Sequence, residues 1–110
     1  MSFPATESSG AAIRLTREAE TTVVILDGGI DAGLREDAGQ TMLQVLAEPT
    51  DLVIDAAGVE SIDSSGMAFV LQLNRAVTEA GFDFCLRKPS AAFLELIEQV
   101  GMRDRVKIAS

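Results

Sequence analysis

Asp63-Ser64-Ser65-Gly66 is the stretch on which the reading of the whole chain turns. Before it, Asp51–Ile62 (DLVIDAAGVESI) carries the apolar run Leu52-Val53-Ile54, the mark of a short buried strand, and then loosens through Ala56-Ala57-Gly58. After it, Gly66, Phe69, Val70, Leu73, Ala76, Val77 and Ala80 recur at intervals of three and four, the spacing of one buried helix face. The tetrapeptide is therefore a strand-to-helix turn. Asp and Ser suit the positions at a helix start because a side-chain oxygen can accept from one of the first helical N–H groups, and Gly66 lets other backbone come close. Capping alone accounts for these residue types. Two hydroxyls at a helix N-terminus also suit a second use, since a phosphate added to one of them would meet free N–H groups and the positive end of the helix dipole.

Outward from this turn, length and composition bound the rest. The 110 residues, with a hydrophobic fraction of 47%, suffice for one domain with a packed core. The apolar runs are too short to cross a bilayer and no basic residue precedes an apolar block at the N-terminus, so a protein without membrane insertion or secretion signal, in the cytoplasm, is expected. Cys85 is alone, which rules out an intrachain disulfide and fits a reducing compartment. The chain has no histidine, tryptophan or tyrosine. Histidine triads and histidine or Cys/His metal sites are thereby excluded; no metal, no cofactor and no enzymatic activity are expected. With 9 basic and 17 acidic side chains the net charge is -8, which repels nucleic-acid phosphates and anionic lipid. A partner with a basic patch is the better match.

In chain order, residues 1–11 (MSFPATESSGA) lack periodicity and read as a flexible tail ahead of a domain spanning 12–110. Ile13 to Glu18 alternates as an edge strand, and after the charged turn Glu18-Ala19-Glu20 the β-branched run Thr21 to Leu26 reads as a covered strand, paired antiparallel by so short a spacer. Asp27-Gly28-Gly29-Ile30-Asp31 punctuates the chain, with Asp31 either capping the next helix or standing near a functional surface. Leu34 to Glu48 forms a helix with Leu34, Ala38, Met42, Val45 and Leu46 inward, stopped by Pro49. Beyond the helix closed by Gly81, Phe82 to Arg87 is a strand, Ser90 a cap, Ala91 to Val100 a helix with Phe93, Leu94, Ile97 and Val100 inward, and Arg105 to Ala109 a closing strand. Helices between strands imply parallel right-handed crossovers. The expected fold is α/β, a mixed, mostly parallel sheet of about five strands with three helices.

Gly29-Ile30-Asp31, then Leu52-Val53-Ile54-Asp55 with Gly58-Val59, then Ile62-Asp63-Ser64-Ser65-Gly66-Met67 together resemble the STAS domain, over roughly Ile13 to Ile108. A free-standing domain of this size is most similar to bacterial anti-sigma factor antagonists. The resemblance implies partner switching in transcription regulation: the unphosphorylated protein captures an anti-sigma factor that is also a serine kinase, phosphorylation abolishes capture, and a PP2C-type phosphatase restores it. By position the phosphorylated serine is Ser64. The partner-binding residues it implies are Asp31, Asp63, Ser64, Ser65, Gly66 and Met67, with Asp31 helping the kinase orient the serine. An alternative from the same family is an accessory subunit of an ABC-type lipid transport complex, docking on its ATPase without obligatory phosphorylation. Many members continue into a further C-terminal helix after the last strand; with this sequence ending near that strand, a less covered sheet face or a homodimer that covers it is the expectation.

Two positions keep two readings each. Ser65 is either the helix cap or the phosphate acceptor. Met67 lies beside the buried stripe, exposed to a partner or covered by a loop. A nucleotide-binding reading of the turn lacks a glycine-rich loop with a lysine.

Overall fold

Residues 12–99, 101 and 107–109 are described in the computed structural model of the chain; the segment 1–11 read as a tail, Val100, and the Arg105-Val106 start of the last strand lie outside them. The elements run β1 (Ala12–Glu18), β2 (Thr21–Ile30), a 3-10 turn (Ala32–Leu34), α1 (Arg35–Ala47), β3 (Asp51–Ile62), α2 (Ser64–Glu79), β4 (Phe84–Arg87), α3 (Ala91–Gln99) and β5 (Ile108–Ala109). They build a five-stranded sheet in the order β1-β2-β3-β4-β5. β1 and β2 are antiparallel, and β2, β3, β4 and β5 are mutually parallel neighbours. The hairpin turn consists of Ala19 and Glu20 alone, and Ala19 takes φ 57° to close it.

Both central strands exceed their apolar runs. β2 continues through Asp27-Gly28-Gly29 to Ile30, where the sequence reads as punctuation, and β3 continues through Ala56-Ala57-Gly58 to Ile62. The parallel register shifts between Ile25 and Asp27 and again between Gly28 and Gly29, so β3 holds two residues more than β2 over the paired span. Gly28, at φ 81°, supplies a backbone conformation that costs other residues, and a Cβ at Gly58 would overlap the Asp27 carboxylate. The small residues thus mark irregular strand, not its end. At the other end of the sheet β4 starts at Phe84; Phe82, expected in the strand, is exposed.

One face of the sheet holds the core. Val24, Leu26, Leu52, Ile54, Phe84 and Leu86 pack with Phe69, Val70, Leu73 and Val77 of α2, Val45 of α1, and Phe93 and Ile97 of α3 in a single cluster. The α1 face differs from its reading: Thr41 and Val45 are buried, whereas Leu46 is 52% exposed and Leu43 68%. At 100° per residue, a stripe centred on Ala38, Thr41, Met42 and Val45 leaves position 46 on its edge. On α2, Ala80 is exposed because the helix ends at Glu79.

The opposite face carries the row Thr16, Val23, Val53 and Cys85, which the register aligns across four strands. No residue of this row belongs to the core cluster. Arg87 crosses it instead, reaching Glu18 at 3.3 Å and Asp55 at 3.2 Å. Its hydrogen bonds, to Glu18 first and Asp55 second, raise the guanidinium pKa above its ordinary value. The aliphatic stem of such a side chain can cover apolar surface while the charge stays at the solvent boundary. Among the described residues, no helix is long and apolar enough to cross a membrane.

Candidate functional site

The site forms where two parallel strands stop together. Ile30 of β2 pairs with Ile62 of β3, and each is followed by an aspartate, Asp31 and Asp63. The Asp63 N–H donates to the Ile30 carbonyl at 3.1 Å, tying the two chain exits to each other. Each aspartate then turns back on its own chain. Asp31 Oδ1 accepts from the Gly33 N–H at 2.8 Å, and Asp63 Oδ1 accepts from the Gly66 N–H at 2.9 Å. Asp63 is therefore the N-cap of α2 and Asp31 the cap of the 3-10 turn before α1.

This arrangement identifies the residue that caps α2. Because Asp63 takes the N-cap, Ser65 is not the cap; Ser64 and Ser65 are the first two residues of the helix, and both are exposed. Their N–H groups precede the first intrahelical hydrogen bond, which Met67 makes to the Asp63 carbonyl at 2.9 Å. The dipole of a 16-residue helix adds partial positive charge at the same place, and the carboxylate of Asp63 stands beside it.

Gly66 and Met67 turn inward. A Cβ on Gly66 would lie 2.6 Å from the Ile30 carbonyl oxygen and 2.8 Å from Ile62 Cγ1, so the start of α2 rests directly on the end of β2. Met67, read as a candidate partner contact, is 4% exposed and belongs to the core. The inward turn of the helix at residues 66 and 67 spreads the buried stripe one residue wider than the three-and-four spacing alone specifies.

Beside the serines lies a groove of about 400 Å³ between α1 and α2. Ile13, Leu34, Met42 and Phe69 supply apolar walls, and the exposed residues Asp31, Arg35 and Ser65 stand at its edge. Ser65 lines this groove and Ser64 does not. Of the residues singled out from sequence, Asp31, Asp63, Ser64 and Ser65 share one end of the sheet. Arg35 and the groove escaped sequence reading, since they exist only once α1 is laid beside α2. The repeated Ile-Asp with a glycine two or three positions later, Ile30-Asp31…Gly33 and Ile62-Asp63…Gly66, was the available signal for the paired caps.

Residues 13–108 match the family model described as Mlab, STAS domain. The chain belongs to the STAS family. The STAS fold is also what solved structures share with it. An anti-sigma factor antagonist from Mycobacterium paratuberculosis superposes with a TM-score of 0.78 at 21% identity, over 96% of this chain and 89% of that one. A STAS domain protein from Planctomyces limnophilus gives 0.77 at 24% identity, over 89% of each chain. The Bacillus cell fate determinant SpoIIAA in its phosphorylated form gives 0.70 at 21% identity, over 90% of this chain and 92% of that one. No curated protein matches the sequence. Against the STAS frame, the aspartates and serines at the β3–α2 turn of this chain form the exposed end of an otherwise apolar helix-on-sheet core.

Proposed function

We propose that this STAS protein is an anti-sigma factor antagonist, a binding module and kinase substrate instead of an enzyme. In its unphosphorylated form it captures an anti-sigma factor with serine-kinase activity, and phosphate on Ser64 releases that partner. A PP2C-type phosphatase resets the cycle, in the cytoplasm. The observation that carries this reading is the division of labour at the turn: Asp63 caps the helix, so Ser64 is an exposed hydroxyl with no structural duty. Asp31, Asp63 and Ser65 join Ser64 on the contact surface, with Asp31 orienting the serine for the kinase; Gly66 shapes that surface through its backbone, and Met67 supports it from beneath.

The switch follows from charge. A phosphate adds close to two negative charges at neutral pH. Within the free protein the helix N-terminus offsets ~0.3–1 kcal/mol of this, and Asp63 opposes it. In a close interface the same charge loses its water, and a penalty of ~3 kcal/mol weakens binding more than a hundredfold. Release therefore needs no refolding.

The test uses the chain with its cognate kinase. Phosphate should map to Ser64, Ser64→Ala should bind the kinase without being modified, and Ser64→Asp should lose binding. Stable binding by Ser64→Asp, or phosphate elsewhere, sinks the reading. The match to a family described as Mlab favours a second reading, an accessory subunit of an ABC-type lipid transport complex docking the same turn on an ATPase. Co-purification with an ATPase and unchanged function after Ser64→Ala would select it.

A further inference from the structure

We infer that the groove between α1 and α2 binds an anionic single-chain amphiphile, a medium-chain carboxylate of about twelve carbons, with its headgroup at Arg35 and its chain between Leu34, Met42 and Phe69. The groove shares Asp31 and Ser65 with the proposed partner-contact surface, but ligand binding there requires no phosphate on Ser64. Three observations converge. The groove measures about 400 Å³, within the range of small-ligand sites, and its walls are mainly apolar side chains. Met42, one of these walls, is half-buried and unbranched, a side chain that adapts to a flexible occupant.

The second observation is charge. Arg14, Arg17, Arg75 and Arg87 each pair with a carboxylate. Arg35 is the one arginine among the described residues without such a partner, in a chain of net charge -8, and it stands at the edge of the groove. The third is its company. Ser65, in the first turn of α2, lines the same groove as Arg35, so a carboxylate bound there has a guanidinium, a hydroxyl and the positive end of a helix dipole within one site. Asp31 opposes this charge, although one of its oxygens is engaged by the Gly33 N–H. An uncharged or cationic amphiphile of equal length lacks the headgroup contacts.

Isothermal titration of the full chain with dodecanoate, at neutral pH and below its micelle concentration, tests the site, with amide chemical shifts to locate it. Saturable one-to-one binding with a Kd of about 10–100 µM is expected, with shifts centred on residues 34–42 and 65–69. Each two-carbon shortening should weaken binding roughly tenfold. Arg35→Gln, an exposed change that leaves the fold intact, should weaken it about tenfold or more, and Asp31→Asn should tighten it. No saturable binding up to about 1 mM, equal binding of dodecanol or dodecyltrimethylammonium, shifts away from the groove, or indifference to Arg35→Gln would each overturn the proposal.

Discussion

The carboxylates of Asp31 and Asp63 leave neighbouring parallel strands at the same level, Ile30 paired with Ile62, and each accepts a backbone N–H from the turn that follows it, Gly33 at 2.8 Å and Gly66 at 2.9 Å. The 3-10 turn that leads into α1 and the first turn of α2 thus begin from paired strand ends, each capped by an aspartate. The exposed serines and the α1–α2 groove both sit in the space this alignment creates. Binding chemistry gathers at the carboxyl ends of parallel strands for this reason, since the helix starts converge there.

Asp63 carries the cap, so its removal should cost stability that removal of Ser65 does not. Asp63→Ala is expected to lower the unfolding free energy by about 1 kcal/mol, within a range of 0.5–2. Ser65→Ala and Ser64→Ala should change it by less than about 0.5 kcal/mol. Urea titration followed by circular dichroism makes the comparison. Equal losses in Asp63→Ala and Ser65→Ala would show that the serine shares the cap.

Gly66 has no room for a side chain. The added methyl of Gly66→Ala meets the Ile30 carbonyl oxygen, which already accepts the Asp63 N–H and is held by the sheet. The backbone must separate, at a cost of about 1–3 kcal/mol. That loss should exceed the gain in helix propensity of ~1 kcal/mol that alanine brings over glycine. A variant as stable as the parent would mean that α2 does not rest on β2 as described.

Leu46 and Leu73 separate surface from core among residues of one type. Leu46, half in solvent, should tolerate Leu46→Gln within about 0.5 kcal/mol. Leu73, with no exposed surface, should lose about 2–5 kcal/mol as Leu73→Ala. Thermal and urea unfolding of the two variants suffice. A large loss in Leu46→Gln would place that side chain in the core.

Arg87 of β4 ties β1 and β3 together on the sheet face opposite the core through Glu18 and Asp55. The pairs are partly exposed, so Arg87→Gln should cost no more than about 1 kcal/mol from charge, with some further loss where its stem covers the sheet. Added salt should narrow the difference between variant and parent. An Arg87→Met variant should recover the part due to packing. If Met recovers nothing, the stem does not cover the sheet.

The order of strands and helices, the antiparallel first pair and the crossover pattern were legible in periodicity, because a strand repeats every two residues and a helix every 3.6 whatever surrounds it. Element limits were less so. Gly28, Gly29 and Gly58 read as breaks, yet they lie within strands, since a parallel neighbour supplies hydrogen bonds that let irregular residues remain in the ladder. Leu46 and Met67 changed places, one to solvent and one to the core, because each lies at the margin of its helical stripe. Only the neighbour packed against a margin decides its side.

Sequence alone determined the α/β class, the STAS resemblance and the position of a hydroxyl-bearing turn between the central strand and its helix, all of which follow from short-range pattern. Tertiary structure decided which residue caps that helix, what stands beside it and that a groove opens next to Ser65. Those facts depend on the register of β2 against β3 and on the closeness of α1 to α2. Register and approach are set by contacts between residues some thirty positions apart, such as Ile30 with Ile62, and local pattern carries no record of them.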